Sequence, residues 1–180
     1  MNLDDAITKR RSIRKYQDRD LPDPLIRELL DLARHAPSSV NGQPWYFSIV
    51  KERERKKRLA DIKNGHCPEE KREFRADFLE TAPVIVVVSV DSRRAYERDV
   101  ENGILAAGYL LLAAHSRNLG AVYLSAYRSD DPLLRKEIKE LLALPEEVNP
   151  VSIIPIGYPA ETPAPKVLRS LEEMIDDEHI

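Results

Sequence analysis

The sequence predicts an α+β or three-layer α/β fold. Three observations predict it: β-branched apolar runs such as "APVIVVVSVD" and "VSIIPIGY", amphipathic helical patterns lying between them, and alternation of the two without any internal repeat. With 180 residues, 42% of them hydrophobic, residues 1–180 are expected to form one domain around its own core.

The elements follow in order. Leu3, Ala6 and Ile7 sit at helical spacing behind Asn2, a residue suited to cap a helix start, and this short helix should end near Lys9 to Arg11. Asp23 as N-cap and Pro24 at the first helical position open a second helix, with Leu25, Ile26, Leu29, Leu30, Leu32 and Ala33 as its apolar stripe and Pro37 as its stop. "WYFSIVK", Trp45 to Lys51, reads as a strand and Glu52 to Leu59 as a solvated helix. Glu69 to Leu79 reads as a helix with Phe74 and Phe78 four apart. Ala82 to Asp91, the most apolar β-branched run, should be a central strand buried on both faces. Val100 to Gly120 is the core helix, closed by Gly120 as its C-cap. Ala121 to Tyr127 and Val151 to Tyr158 are two more strands, with a helix from Pro132 to Leu142 between them. The proline-rich tail "PAETPAPKVLRS" must run extended.

Several functions are disfavoured at once. A net charge of -3 and a pI near 5.9 argue against a surface built for nucleic acid or an anionic membrane. Cys67 is the one cysteine, which excludes an internal disulfide and a multi-cysteine zinc site and fits a reducing compartment. "MNLDDAITKRR" lacks the apolar stretch of a signal peptide, and no later run approaches the ~18 apolar residues of a membrane span. The expectation is a soluble cytoplasmic protein. Neither G-x-G-x-x-G nor G-x-x-x-x-G-K-[ST] occurs, nor does a Gly-x-Ser-x-Gly elbow. His35, His66, His115 and His179 lie apart without ligand spacing, so no metal site is expected. If the chain is an enzyme, the difficult chemistry belongs to something it binds.

"RRSIRKY", Arg10 to Tyr16, is the most charged motif: Lys9, Arg10, Arg11, Arg14 and Lys15 surround one serine. On extended backbone Arg10, Ser12 and Arg14 alternate with period two and point one way, making a fork suited to a phosphate. The alternative is that these arginines pair with Asp4, Asp5, Asp18 and Asp20 on a solvated surface. Composition does not separate the two. The second motif, "HAPSSVNGQPWYF" from His35 to Phe47, is a loop dense in small and hydrogen-bonding side chains, and taken alone it fits an ordinary capped turn with Trp45 in the core.

Together, "RRSIRKY" and "APSSVNGQPW" resemble the FMN-dependent nitroreductase family, whose members carry R-R-S-x-R-x-[FY] and A-P-S-x-x-N-x-Q-P-W at this separation. "NLGAVYLSAY", "SIIPIGYPAE", Lys166 and "RSLEE" match later landmarks in order, so the resemblance covers essentially the whole chain. Asn118 replaces the first Gly of a G-L-G motif, Tyr123 stands where many relatives have Trp, and Gly108-Tyr109 where many have Gln-Asn. The stretch from Glu52 to Glu80 is shorter and more polar than in larger relatives.

The resemblance implies a three-layer α/β/α fold with a central mixed, mainly antiparallel sheet, in a domain-swapped or intertwined homodimer with FMN at the subunit interface. It implies that Arg10, Ser12 and Arg14 hold the phosphate with Arg11 nearby, and that Lys166 and Arg169 complete the grip. Pro37, Ser38, Ser39 and Asn41 would reach the flavin of the other subunit, with Gln43 either beside them or holding the loop. Tyr123, Leu124 and Ser125 would run beside the ring, and Lys63 and Asn64 are candidates for its pyrimidine edge against a plain solvated loop. The activity implied is ping-pong transfer of electrons from NAD(P)H through FMN to a nitroaromatic or quinone-like small molecule, with no side chain required as acid or base. The alternative is an FMN protein of another reaction type, or a sensor with little turnover. The short middle segment disfavours a dehalogenating branch, and Cys67 reads as incidental.

Overall fold

The computed structural model describes residues 1–71 and 75–176. Its centre is a sheet in which β1 (Trp45–Val50), β2 (Val84–Asp91), β5 (Val148–Gly157) and β3 (Gly120–Ala121) lie side by side in that order, while β4 (Leu124–Ser125) also pairs with β5. Every strand pair is antiparallel. Ala121 faces Ile156 and Leu124 faces Ile153 in one continuous register, so the strand expected from Ala121 to Tyr127 is a single edge strand interrupted at Val122 and Tyr123.

β2 explains the layering. Its run from Val84 to Val90, apolar but for Ser89, is buried throughout, and a strand's side chains alternate between faces, so it needs cover on both. Val84, Val86 and Val88 pack with Ile154 and Ile156 against Ile26 and Leu29 of α2 (Asp23–Ala33) and Ala106, Ala107 and Leu110 of α4 (Asp99–Ser116). Ile85, Val87 and Ile153 pack on the other side against Leu59 and Ala60 of α3 (Arg53–Gly65) and Leu134 and Ile138 of α5 (Pro132–Leu141). The α/β/α layering matches the expected fold.

At the start of α1 (Leu3–Lys9) the Asn2 side chain accepts the Asp5 N–H at 2.8 Å, the cap read from the sequence. α2 opens one residue earlier than expected, with Pro22 at the cap and Pro24 inside the first turn. Three further expectations need correction. α3 runs on to Gly65 and is not merely solvated: Leu59 and Ala60 are fully buried, and the Lys56 ammonium reaches the Ala82 carbonyl at 2.7 Å. The stretch from Glu69 to Leu79 is not one helix. Glu69–Lys71 and Asp77–Leu79 are separate 3₁₀ turns, Phe74 lies outside the described residues, and the Ala76 N–H is taken by Asn64 Oδ1 at 2.8 Å.

The third concerns the end of α4, which closes at Ser116. The Leu119 N–H bonds the Ala114 carbonyl at 2.9 Å and the Asn118 N–H bonds that of His115 at 2.9 Å, with Asn118 at φ 58. This is a Schellman closure with Asn118, not Gly120, in the left-handed position. Gly120 has another duty: a Cβ there would lie 2.6 Å from Ile13 Cγ2, so only glycine lets the N-terminal segment pack onto β3.

Candidate functional site

After α1 the chain turns extended at Arg10 (φ -57, ψ 132) and lies beside the sheet edge. Ser12 bridges Ala121 in the parallel sense, the Ile13 N–H donates to the Ala121 carbonyl at 3.1 Å, and further on the Gln17 N–H donates to Tyr158 at 2.9 Å. Ile13 is buried, so the alternate positions Arg10, Ser12 and Arg14 fall on the other side of the strand. The segment is also tied to the tail: Glu161 Oε1 accepts the N–H of Arg14 at 2.5 Å and of Lys15 at 3.1 Å, and the Ala160 N–H donates to the Lys15 carbonyl. Tyr16 donates its hydroxyl to the Ile13 carbonyl at 2.6 Å; burial, then the nearby Glu161 charge, pushes its pKa upward.

Among the described residues no ion pair joins Arg10, Arg11 or Arg14 to a carboxylate, and Asp5 is taken by Lys9 at 2.7 Å. Of the five cations, Lys9 alone is ion-paired among the described residues. Arg11 and Lys9 share a hollow of about 460 Å³ with Lys166. Arg169 stands apart, its guanidinium 3.1 Å from Glu173 within the tail. Burial, and then the charge of Arg10, holds the His115 imidazole below its ordinary pKa at the end of α4.

The loop of Pro37, Ser38, Ser39, Asn41 and Gln43 is strained. Val40, Asn41 and Gln43 have φ of 51, 52 and 46, a conformation that asparagine tolerates but that costs of order 1–3 kcal/mol for Val40 and Gln43. Val40, β-branched and 77% exposed, gains no burial in return. A Cβ on Gly42 would sit 2.1 Å from the Arg94 carbonyl, so the loop closes only with glycine there. Ser38 Oγ accepts the Gln43 N–H at 3.0 Å, and Gln43 Nε2 lies 3.3 Å from Asn41 Oδ1.

Behind the loop stands a residue that the sequence reading missed. Asn102, 1% exposed in α4, accepts the Ser39 N–H and donates to the Ala95 carbonyl, each at 3.0 Å, and its own carbonyl accepts Trp45 Nε1–H at 3.1 Å. Its signal was there: one amide on the buried side of an otherwise apolar helix must be satisfied from elsewhere.

At the interrupted edge strand Tyr123, Leu124 and Ser125 are half-buried. Burial raises the Tyr123 pKa. Lys63 Nζ donates to the Ser125 carbonyl at 2.8 Å, and burial lowers its pKa. Asn64, paired with Lys63 in the sequence reading, is otherwise engaged: its amide bonds Asp77 Oδ1 at 2.7 Å as well as the Ala76 N–H.

A cation-rich strand whose arginines make no ion pair among the described residues thus lies against a broken edge strand on a three-layer fold. The Nitroreductase family profile matches residues 7–158, and the chain belongs to that family. It is 38% identical, over 93% of its length and 83% of the relative's, to a protein of Methanothermobacter thermautotrophicus provisionally named an NADH dehydrogenase/NAD(P)H nitroreductase. An iodotyrosine deiodinase of Thermotoga neapolitana is 32% identical, covering 93% of this chain and 94% of the relative. Among solved structures, an FMN-dependent nitroreductase of Clostridium difficile superposes with a TM-score of 0.79 at 27% identity, over 99% of this chain and 97% of that one.

Proposed function

We propose that this chain is an NAD(P)H-dependent FMN oxidoreductase passing electrons to a nitroaromatic or quinone-like acceptor, working in the cytoplasm as a homodimer of one-domain subunits, residues 1–180. The observation that carries the reading is that the guanidinium groups of Arg10, Arg11 and Arg14 make no ion pair among the described residues while lying beside the β3–β4 edge of a nitroreductase-family fold. Bound FMN supplies a hydride acceptor and two-electron carrier, so nicotinamide and acceptor use one pocket in turn.

The chain's own residues bind and orient. Arg10, Ser12 and Arg14 hold the phosphate by charge-assisted bonds, with Arg11 and Lys166 adding positive charge and Arg169 joining on release from Glu173. Ala121, beside Ser12, and Leu124 are three residues apart, or roughly 10 Å of strand, which suits an anionic tail at one end and a planar ring at the other. Tyr123, Leu124 and Ser125 offer main-chain groups where the ladder is already broken. Lys63 places a cation at the same strand.

Pro37, Ser38, Ser39, Asn41 and Gln43 reach the neighbouring subunit's site, stiffened from behind by Asn102. Two exposed apolar features support the dimer: Ile104, Leu105 and Tyr109 on one side of α4, and Val167, Leu168, Leu171, Met174 and Ile175 along the tail. Among the described residues no helix is long and apolar enough to cross a membrane.

The test is an absorbance spectrum of the purified protein with FMN, followed by anaerobic NAD(P)H titration. A bound flavin that bleaches supports the reading, a bound flavin that stays yellow points to a sensor, and a protein that ignores FMN refutes it. A second acceptor class, halogenated phenols, is favoured by the deiodinase relative, which matches over nearly its whole length, so the short middle segment does not by itself set this chain apart from that branch. Iodide release from 3-iodotyrosine under the same conditions would decide it.

A further inference from the structure

Away from the strand edge, one side chain meets two carboxylates at once. His66 caps the C-terminal end of α3, its side chain 14% exposed. Its Nδ1 lies 2.6 Å from Asp131 Oδ2 and its Nε2 3.2 Å from Glu137 Oε1, while its carbonyl accepts from Arg128 Nη1 at 2.9 Å. Asp131 is the N-cap of α5, its second oxygen accepting the Leu133 N–H, and Glu137 lies within the same helix. A neutral imidazole has one donor and one acceptor nitrogen. One of the two contacts would then set a lone pair against a carboxylate, and only the imidazolium satisfies both.

The titratable Cys67, next in the chain, lies within electrostatic reach of both Lys63 and Arg128. Arg58 and Asp61 of α3 line the same hollow as Glu137, with Asp61 bound by Lys57, and Arg128 is bound to Asp130. Burial lowers the His66 pKa, but the hydrogen bonds and charges of Asp131 and Glu137 outweigh it, and the net shift is upward. What this clamp holds is the last turn of α3. Three residues earlier, Lys63 reaches the Ser125 carbonyl of β4, and two residues earlier, Asn64 bonds Ala76 and Asp77.

We propose that His66 is a positioning residue for the flavin site: as an imidazolium held between Asp131 and Glu137, it locks the C-terminal turn of α3 and so keeps the Lys63 ammonium on the Ser125 carbonyl. The latch stands on the contacts above; its consequence, a flavin potential that depends on a residue remote from the flavin, rests on the FMN reading. Loss of the His66 proton breaks one carboxylate contact, frees the turn, and withdraws a fixed cation from the edge strand.

The experiment compares wild type with His66→Gln and with Glu137→Ala, which removes the Nε2 contact without altering α3. Acylation of Lys63 by acetic anhydride, read by mass spectrometry, is followed from about pH 6 to about pH 9, across the ordinary histidine value and above it. At the acidic end Lys63 should react several-fold faster in both variants than in wild type, and the difference should disappear as wild type loses its own proton. With FMN bound, the wild-type midpoint potential should fall through the same window more steeply than in the variants. Equal Lys63 rates in all three proteins at the acidic end would overturn the latch. A Lys63 difference with identical potentials would reduce His66 to a structural clamp and overturn its positioning role. Protein that takes up no FMN refutes the functional reading, while the Lys63 rates still decide the latch.

Discussion

The Glu161 carboxylate accepts the main-chain N–H of Arg14 at 2.5 Å and, through the same oxygen, that of Lys15 at 3.1 Å, joining the N-terminal cation strand to the tail. Glu161→Ala leaves two N–H groups to find water or stay unsatisfied. It should cost roughly 1.5–3 kcal/mol, the range for hydrogen bonds to a charged group. Urea midpoints measure this, and Glu161→Gln, which keeps an acceptor oxygen, should recover part of it.

Arg10→Ala should weaken FMN binding by on the order of 2 kcal/mol, because it removes a charge-assisted contact to phosphate. Flavin fluorescence titration reads it directly. Since Arg10 is the half-buried C-cap of α1 and makes no ion pair among the described residues, the variant should fold as wild type does.

Asn102→Ala should destabilise by about 1–3 kcal/mol for each buried group it leaves without a partner, here the Ser39 N–H and the Ala95 carbonyl. The loop carrying Ser38, Ser39 and Asn41 would lose its anchor, so FMN affinity should fall alongside thermal stability. Asn102→Asp keeps the acceptor for Ser39 but sets a buried carboxylate against the Ala95 carbonyl, and should destabilise at least as much as alanine.

Asn118→Gly should be neutral or mildly stabilising, and Asn118→Ala should cost about 1 kcal/mol, because φ of 58 suits glycine and asparagine and strains alanine. Thermal unfolding of the pair gives the comparison.

The His66 clamp sets a pH dependence whose sign is fixed. The folded-state pKa is raised, so its contribution to stability is fully present below the unfolded value near 6.5 and is lost as pH rises through the folded value. Urea midpoints of wild type should therefore decline across that window, and those of His66→Gln should lack this decline.

Much of the fold was legible because β2 carries an uninterrupted apolar run, which dictates cover on both faces, and because the "RRSIRKY" and "APSSVNGQPW" motifs carry their spacing openly. What escaped depends on contacts distant in sequence. Gly120 read as a helix cap because glycine usually serves there, whereas Asn118 takes the left-handed turn and Gly120 makes room for Ile13. The stretch after Glu69 has helical composition, yet Asn64 claims the Ala76 N–H. Asn102 and Lys63 lie in helices whose pattern tells which face is buried but not which loop or strand waits there.

Whether the N-terminal cations grip a flavin phosphate is tested most directly by equilibrium binding of FMN against riboflavin, which differ only in that group. FMN should bind at least a hundredfold more tightly, about 3 kcal/mol, with the gap shrinking sharply in Arg10→Ala. Equal affinity for the two flavins, or a gap untouched by the substitution, would contradict it.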